Sequence, residues 1–163
     1  MEKLTKWIDK ILSNFLIFLM ALMVLAVSWQ VFTRSIMQNP SSYTEELARF
    51  LLIWIGLLGA SYALHTRAHL GIDVLTYKMA GVKRKVVQII VHSLIILFAF
   101  FIMILGGSRL VDLTFNLNQI SAAMGIKMGY VYSVIPLSGL LIIYYSIDFI
   151  IQIVREKPSA ESI

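Results

Sequence analysis

The side chains able to do chemistry in this chain of 163 residues are few and mostly grouped. Three histidines occur, His65, His69 and His92, and the first two are spaced to share one helix face. Imidazoles on membrane helices ligate haem, and imidazole sets hold transition metals. Neither chemistry is completed here. Cysteine is absent, which excludes disulfides, thiolate metal sites and a cysteine nucleophile. No neighbouring carboxylate completes a metal set. His65 and His69 flank Arg67 at the end of an apolar run. His92 lies roughly two turns into another run, where a hydrogen bond between helices is its expected task. A membrane redox or quinone-reactive subunit using His65, His69 or His92 is the competing function, and a haem absorbance band in the pure protein would favour it.

Glu45, Glu46 and Arg49 form a second cluster. Glu45 precedes Arg49 by one helical turn, the favourable order for an ion pair along a helix face. Asp148 is the one carboxylate inside a strongly apolar run, and Arg155, two turns further on, could neutralise it.

These groups sit in a sequence that is 59% apolar and 14% charged. A soluble domain of this size needs more polar surface. Stretches 11–33, 50–66, 86–108 and 128–147 hold few or no charges. A helical span takes roughly 20 residues. The second stretch is short and crosses only if Glu45, Glu46 and Arg49 also enter the membrane. The expected fold is therefore an all-α integral membrane protein with four transmembrane helices, at about 11–33, 45–66, 86–108 and 128–154, in a single membrane domain over 1–163. Lys3, Lys6 and Lys10 before the first run resemble the start of a signal peptide. That run is too long for one, and three more follow, so it reads as a retained anchor.

Outside the spans, Lys3, Lys6, Lys10, Arg67, Lys78, Lys83, Arg84, Lys85, Arg155 and Lys157 fall on one side, against Arg34, Arg109 and Lys127 on the other. The positive-inside rule then places both termini and the middle loop in the cytoplasm. The net charge of +5 is explained by anionic lipid headgroups, with no need for nucleic acid. Ile72, Leu75, Met79 and Val82 share one helical face in the middle loop. A short amphipathic surface helix is expected over about 71–83, with Lys83, Arg84 and Lys85 meeting membrane lipids.

The entry to the second span reads as a capping box. Ser42 would cap the first turn and Glu45 would reach back, so the helix should start near Tyr43. Further along, Gly56/Ala60 and Gly59/Ala63 are two small-xxx-small pairs, which let a second helix approach closely. A charged entrance and a small-residue face suit a span shielded by another polypeptide. Trp54, away from the span ends, should pack against protein.

The run Ser42-Tyr43-Thr44-Glu45-Glu46-Leu47-Ala48-Arg49, followed by Trp54, Gly56, Gly59-Ala60 and His69-Leu70-Gly71-Ile72-Asp73, resembles the small membrane subunit of tripartite ATP-independent periplasmic (TRAP) transporters. That family typically shows Ser-Trp-x-Glu-Glu, a Trp and Gly-Ala in the same helix, and a His-to-Asp run after it. The segment from Ile126 to Gly139 resembles the family's entry to its last span. Tyr43 replaces the usual Trp, and Lys127 stands where Pro is frequent. The resemblance implies no enzyme and no cofactor in this subunit. It implies a bacterial inner-membrane scaffold for a large membrane subunit, which binds sodium ions and an organic acid such as a C4-dicarboxylate or a sialic acid. A periplasmic substrate-binding protein would deliver that acid. Glu45, Glu46, Arg49, Trp54, Gly56, Gly59 and Ala60 are then the expected partner interface. His69, Asp73, Lys83, Arg84 and Lys85 belong to the expected surface helix.

Overall fold

A run of twenty or more apolar residues has no water to satisfy its backbone in a membrane, so it folds as a helix that satisfies itself. The computed structural model describes residues 2–36, 41–66 and 82–155. Their order is α1 (Glu2–Ile36), α2 (Ser42–His65), α3 (Val82–Phe98), a π-helical stretch at Ala99–Gly106, α4 (Gly107–Asn116), the short α5 (Met128–Tyr132) and α6 (Val134–Arg155). Among the described residues, four continuous stretches are long and apolar enough to cross a membrane: Thr5–Ile36, Ser42–His65, Lys83–Asn116 and Met128–Arg155. The expected surface helix, with His69 and Asp73, lies outside the described residues except for Val82 and Lys83, which begin α3.

α1 packs on α2, α2 on α6, and α6 on α3, the π-helical stretch and α4. The last span is therefore the centre, and its apolar window is 33% buried against 17–22% in the others. The core joins Leu12 and Leu19 of α1, Leu51, Leu58 and Leu64 of α2, and Val134 and Tyr145 of α6. Small residues set the closest approaches. A Cβ at Gly139 would stand 2.9 Å from the Met103 Cβ and 3.4 Å from the Ala99 carbonyl oxygen. The π-helical turn thus lies directly against α6. Ser61 makes the α2–α6 contact: its hydroxyl donates to the Leu57 carbonyl at 3.0 Å and to the Ser138 carbonyl at 3.3 Å.

Most of the remaining surface is apolar. Ile17, Phe18, Val24, Leu25 and Trp29 on α1 and Leu94, Phe98, Phe101 and Ile102 on the third span are exposed. Patches of this extent on a soluble protein would signal association. Here they are the faces available to lipid or to other membrane helices.

Candidate functional site

Two polar clusters close the two ends of the bundle. At one end α2 begins. Its N-cap is Ser41, with no side-chain cap bond, and the helix starts at Ser42, one residue earlier than the capping-box reading. The Thr44 hydroxyl donates back to the Ser41 carbonyl at 3.0 Å. Glu45 does not reach back to Ser42; it pairs with Arg49 along the helix. Both partners are well exposed, so water weakens the pair.

Glu46 points into the chain instead. Its Oε2 accepts the Ala123 N–H at 2.8 Å and the Met124 N–H at 3.0 Å. The Met124 N–H is shared with Ser121 Oγ, which accepts it at 3.1 Å. The turn held in this way joins α4 to α5. It is braced by an isolated bridge between Ile120 and Lys127, by Ser121 N–H to the Ile126 carbonyl at 2.8 Å, and by Met128 N–H to the Gln119 carbonyl at 2.9 Å. Asn118 and Gly125 adopt positive φ, 49° and 67°, which lets the loop reverse twice in few residues. Glu46 therefore works like a capping carboxylate, but for a distant turn. Between α2 and this turn lies an open cleft of about 200 Å³, lined by Ser42, Glu45, Glu46, Arg49, Ala122 and Ala123.

Down α2 the expected interface residues divide. Trp54 faces inward: its Nε1–H donates to the Val131 carbonyl at 3.1 Å, and its ring meets Phe15 edge-on at 6.2 Å. Arg49, Leu52, Gly56 and Ala60 are exposed, at spacings that place them on one stripe. Gly56 and Gly59 have no neighbour within 4 Å of where a Cβ would be. By contrast, a Cβ at Gly107, Gly129 or Gly139 would meet the chain's own atoms at 2.9, 2.5 and 2.9 Å.

The opposite end carries a cluster that sequence reasoning missed. Asp9 of α1 bridges two helices. Its Oδ2 lies 2.8 Å from His65 Nε2 on α2, and its Oδ1 accepts the Tyr145 hydroxyl of α6 at 2.7 Å. The His65 and Tyr145 rings lie face to tilted face at 4.7 Å. One turn before Asp9, the Thr5 hydroxyl and Tyr144 hydroxyl are 3.0 Å apart. The only signal in the sequence was a carboxylate among the lysines preceding the first apolar run, and a count of cations by side gives a carboxylate no weight.

His92 is buried and stacks on Phe149 of α6 at 4.2 Å. This contact joins α3 to α6 through the two ring faces. Asp148 accepts a bond from Gln152 Nε2 at 2.9 Å, one turn away, so its described partner is an amide and not Arg155. Among the described residues no three His, Cys, Asp or Glu side chains converge as a metal site.

Four apolar spans with a charged entrance to the second describe a multi-pass membrane protein. The profile of the tripartite ATP-independent periplasmic transporters, DctQ component, matches residues 23–156, and the chain belongs to that family. It is a TRAP transporter small permease subunit, a transporter component and not an enzyme. A Haemophilus influenzae protein provisionally named a TRAP transporter small permease protein is 28% identical over 142 residues, covering 87% of this chain and 86% of its own length. The sialic acid TRAP transporter small permease protein SiaQ of Vibrio cholerae is 23% identical, covering 95% and 88%. The Haemophilus influenzae sialic acid TRAP transporter permease protein SiaT is 27% identical over 71% of this chain, but the match spans only 18% of SiaT.

Proposed function

We propose that this subunit is the fixed scaffold of a sodium-coupled importer of an organic acid, of the C4-dicarboxylate or sialic acid class. It would work with a large membrane subunit, which holds the sodium ions and the substrate, and with a periplasmic binding protein. Both termini and the middle loop face the cytoplasm in this reading, so the Glu46 end faces the periplasm. Lys83, Arg84 and Lys85 at the start of α3 then lie at the inner leaflet with its anionic lipids.

The observation that carries the scaffold role is the open stripe of α2. A helix closed on both sides by its own chain would have its small residues clasped, as Gly107, Gly129 and Gly139 are. Gly56, Gly59 and Ala60 are not clasped. Without a hydrophobic drive between helices in lipid, close backbone approach at small residues is a main source of association. Arg49 and Glu45 stand at the end of the same stripe, where a partner's polar groups could bond them. Glu46 and Trp54 flank the seam, each already bonded within the chain. A relative in which a stretch like this one is joined to a far longer permease polypeptide also favours a large membrane subunit as the neighbour.

The test is co-purification. The pair Gly56→Leu with Ala60→Leu should abolish recovery of the large subunit from detergent extracts, and Arg49→Ala should weaken it, while both variants insert at normal levels. Undiminished recovery with the double leucine variant would remove the seam from α2.

A further inference from the structure

We infer that α4, the turn after it and α5 form a hinged lobe, residues 107–132, which swings at Gly107 and Pro136 and is latched to α2 by Glu46 and Trp54. The third and last spans are each weakened at one place, and the two weak places touch. In the third span the π-helical stretch runs into Gly106, Gly107 and Ser108. The Gly107 N–H is shared among three carbonyls, those of Ile102, Met103 and Ile104, so three helical registers meet at one donor. π-helical turns and glycine–serine pairs are both recognised causes of helix kinks. In the last span α5 ends at Tyr132, a turn residue, Ser133, follows, and α6 begins at Val134. Pro136 has no N–H to give the Tyr132 carbonyl, and the Leu137 N–H reaches the Ser133 carbonyl only at 3.4 Å. A Cβ at Gly107 would stand 2.9 Å from Ile135 Cγ2 and 3.1 Å from Pro136 Cδ, so the two breaks lie side by side.

Beyond the breaks the lobe is bound mainly to itself. α4 packs on α5, and both touch α6 only lightly. Gly129 lies against the Phe115 ring, Phe115 meets Tyr130 edge-on at 5.2 Å, and the Gln119 N–H donates to the Thr114 carbonyl at 3.1 Å. Among the described residues, side-chain bonds from another span reach the lobe at two places, both from α2. Glu46 accepts the Ala123 and Met124 N–H groups, and Trp54 donates to the Val131 carbonyl. A body that is packed within, jointed at two adjacent breaks and tied elsewhere by two side chains swings as a unit once those ties open. Such a lobe lets one end of a scaffold yield while α1, α2 and the rest of the last span hold still.

The test measures distances between spin labels in the full-length subunit in lipid nanodiscs, and the absence of cysteine leaves the label sites free to choose. Leu25→Cys with Leu117→Cys reports across the hinge, and Leu25→Cys with Leu94→Cys reports within the fixed body; all three leucines are exposed. Leu117 lies about 15 Å along α4 from Gly107, and a bend of about 20° would carry it about 5 Å. With the latches intact each pair should give one distance. Glu46→Ala or Trp54→Phe should add a second distance to the Leu117 pair, displaced by up to about 5 Å, and leave the Leu94 pair unchanged. Gly106→Ala and Pro136→Ala return a helix former and a backbone N–H to the two breaks. Added to either latch variant, they should roughly halve the released population. In the chain with latches intact, the same two substitutions should slow amide exchange at Gly107 about threefold to tenfold. A single unchanged distance in both latch variants would overturn the hinge. Equal broadening of both label pairs would overturn it too, as would release and exchange that ignore the two stiffening substitutions.

Discussion

Replacing Asp9 by Ala tests whether the bundle is fastened at its Asp9 end. The change removes the acceptor of the Tyr145 hydroxyl and of His65 together. A hydrogen bond to a charged group contributes about 1.5–3 kcal/mol when buried. Two facts reduce that here. The side chains of His65 and Asp9 are 29% and 20% exposed, so water replaces part of what is lost. Polar bonds between membrane helices average only about 0.6 kcal/mol and reach about 1.7. The expected loss is therefore about 1–2 kcal/mol for Asp9→Ala, and about 0.5–1 kcal/mol for Tyr145→Phe, which removes a single oxygen.

The assay is reversible unfolding of the purified subunit in mixed micelles, titrated with denaturing detergent. Asp9→Ala, Tyr145→Phe and the double variant form a cycle. A coupling of about 0.5–1 kcal/mol is expected, because residues sharing a bond are not additive. The pair Asp9→Ala and His65→Ala should give a similar value. Phe15→Leu, which touches Trp54 and lies six residues along α1 from Asp9, serves as the additive control. Coupling below about 0.2 kcal/mol in both cycles would refute the fastening role, leaving the contacts as solvated surface pairs.

Other substitutions separate the inner from the outer small residues. Gly139→Ala should cost about 1–3 kcal/mol in the same assay, because its Cβ would press on Met103 and on the Ala99 carbonyl of the π-helical stretch. Gly56→Ala should stabilise the subunit by up to about 1 kcal/mol, since no atom lies within 4 Å of the new Cβ and alanine favours the helix. Trp54→Phe should cost about 1 kcal/mol by leaving the Val131 carbonyl without its indole donor. Replacing Lys83, Arg84 and Lys85 together by Gln should yield mixed orientation in reporter fusions at the C-terminus, because the middle loop loses three of its five cations.

The spans were legible because bulk composition dictates them: long apolar runs in lipid have one backbone solution. Trp54 was legible as a packed residue because an indole away from the span ends needs an acceptor, and it finds the Val131 carbonyl. The α2 start was misplaced by one residue. Adjacent Ser41 and Ser42 offer two capping registers, and Glu45 completes only the second on paper. In the fold, Arg49 takes Glu45 and the first register wins. Asp9 was hidden among lysines, since nothing local distinguishes a carboxylate that will meet His65 and Tyr145 from one that stays solvated. The donors to Glu46 were invisible for a stronger reason. They are backbone amides, which every residue except proline has, so no residue type marks them.

The glycines show where reading a sequence ends and reading a fold begins. Gly56, Gly59, Gly107, Gly129 and Gly139 all permit close approach. Spacing marks only the first two as helix-pairing sites. The fold then reverses the usual inference about which glycines are already in use. Gly107 lies against Ile135 and Pro136, Gly129 against the Phe115 ring, and Gly139 against Met103. These three are consumed in building the third and fourth spans around each other. Gly56 and Gly59 contribute nothing to that packing. Yet each weakens a helix relative to alanine by about 1 kcal/mol. A helix that carries this cost twice on a face its own chain leaves open is suited to a neighbour that the chain does not supply.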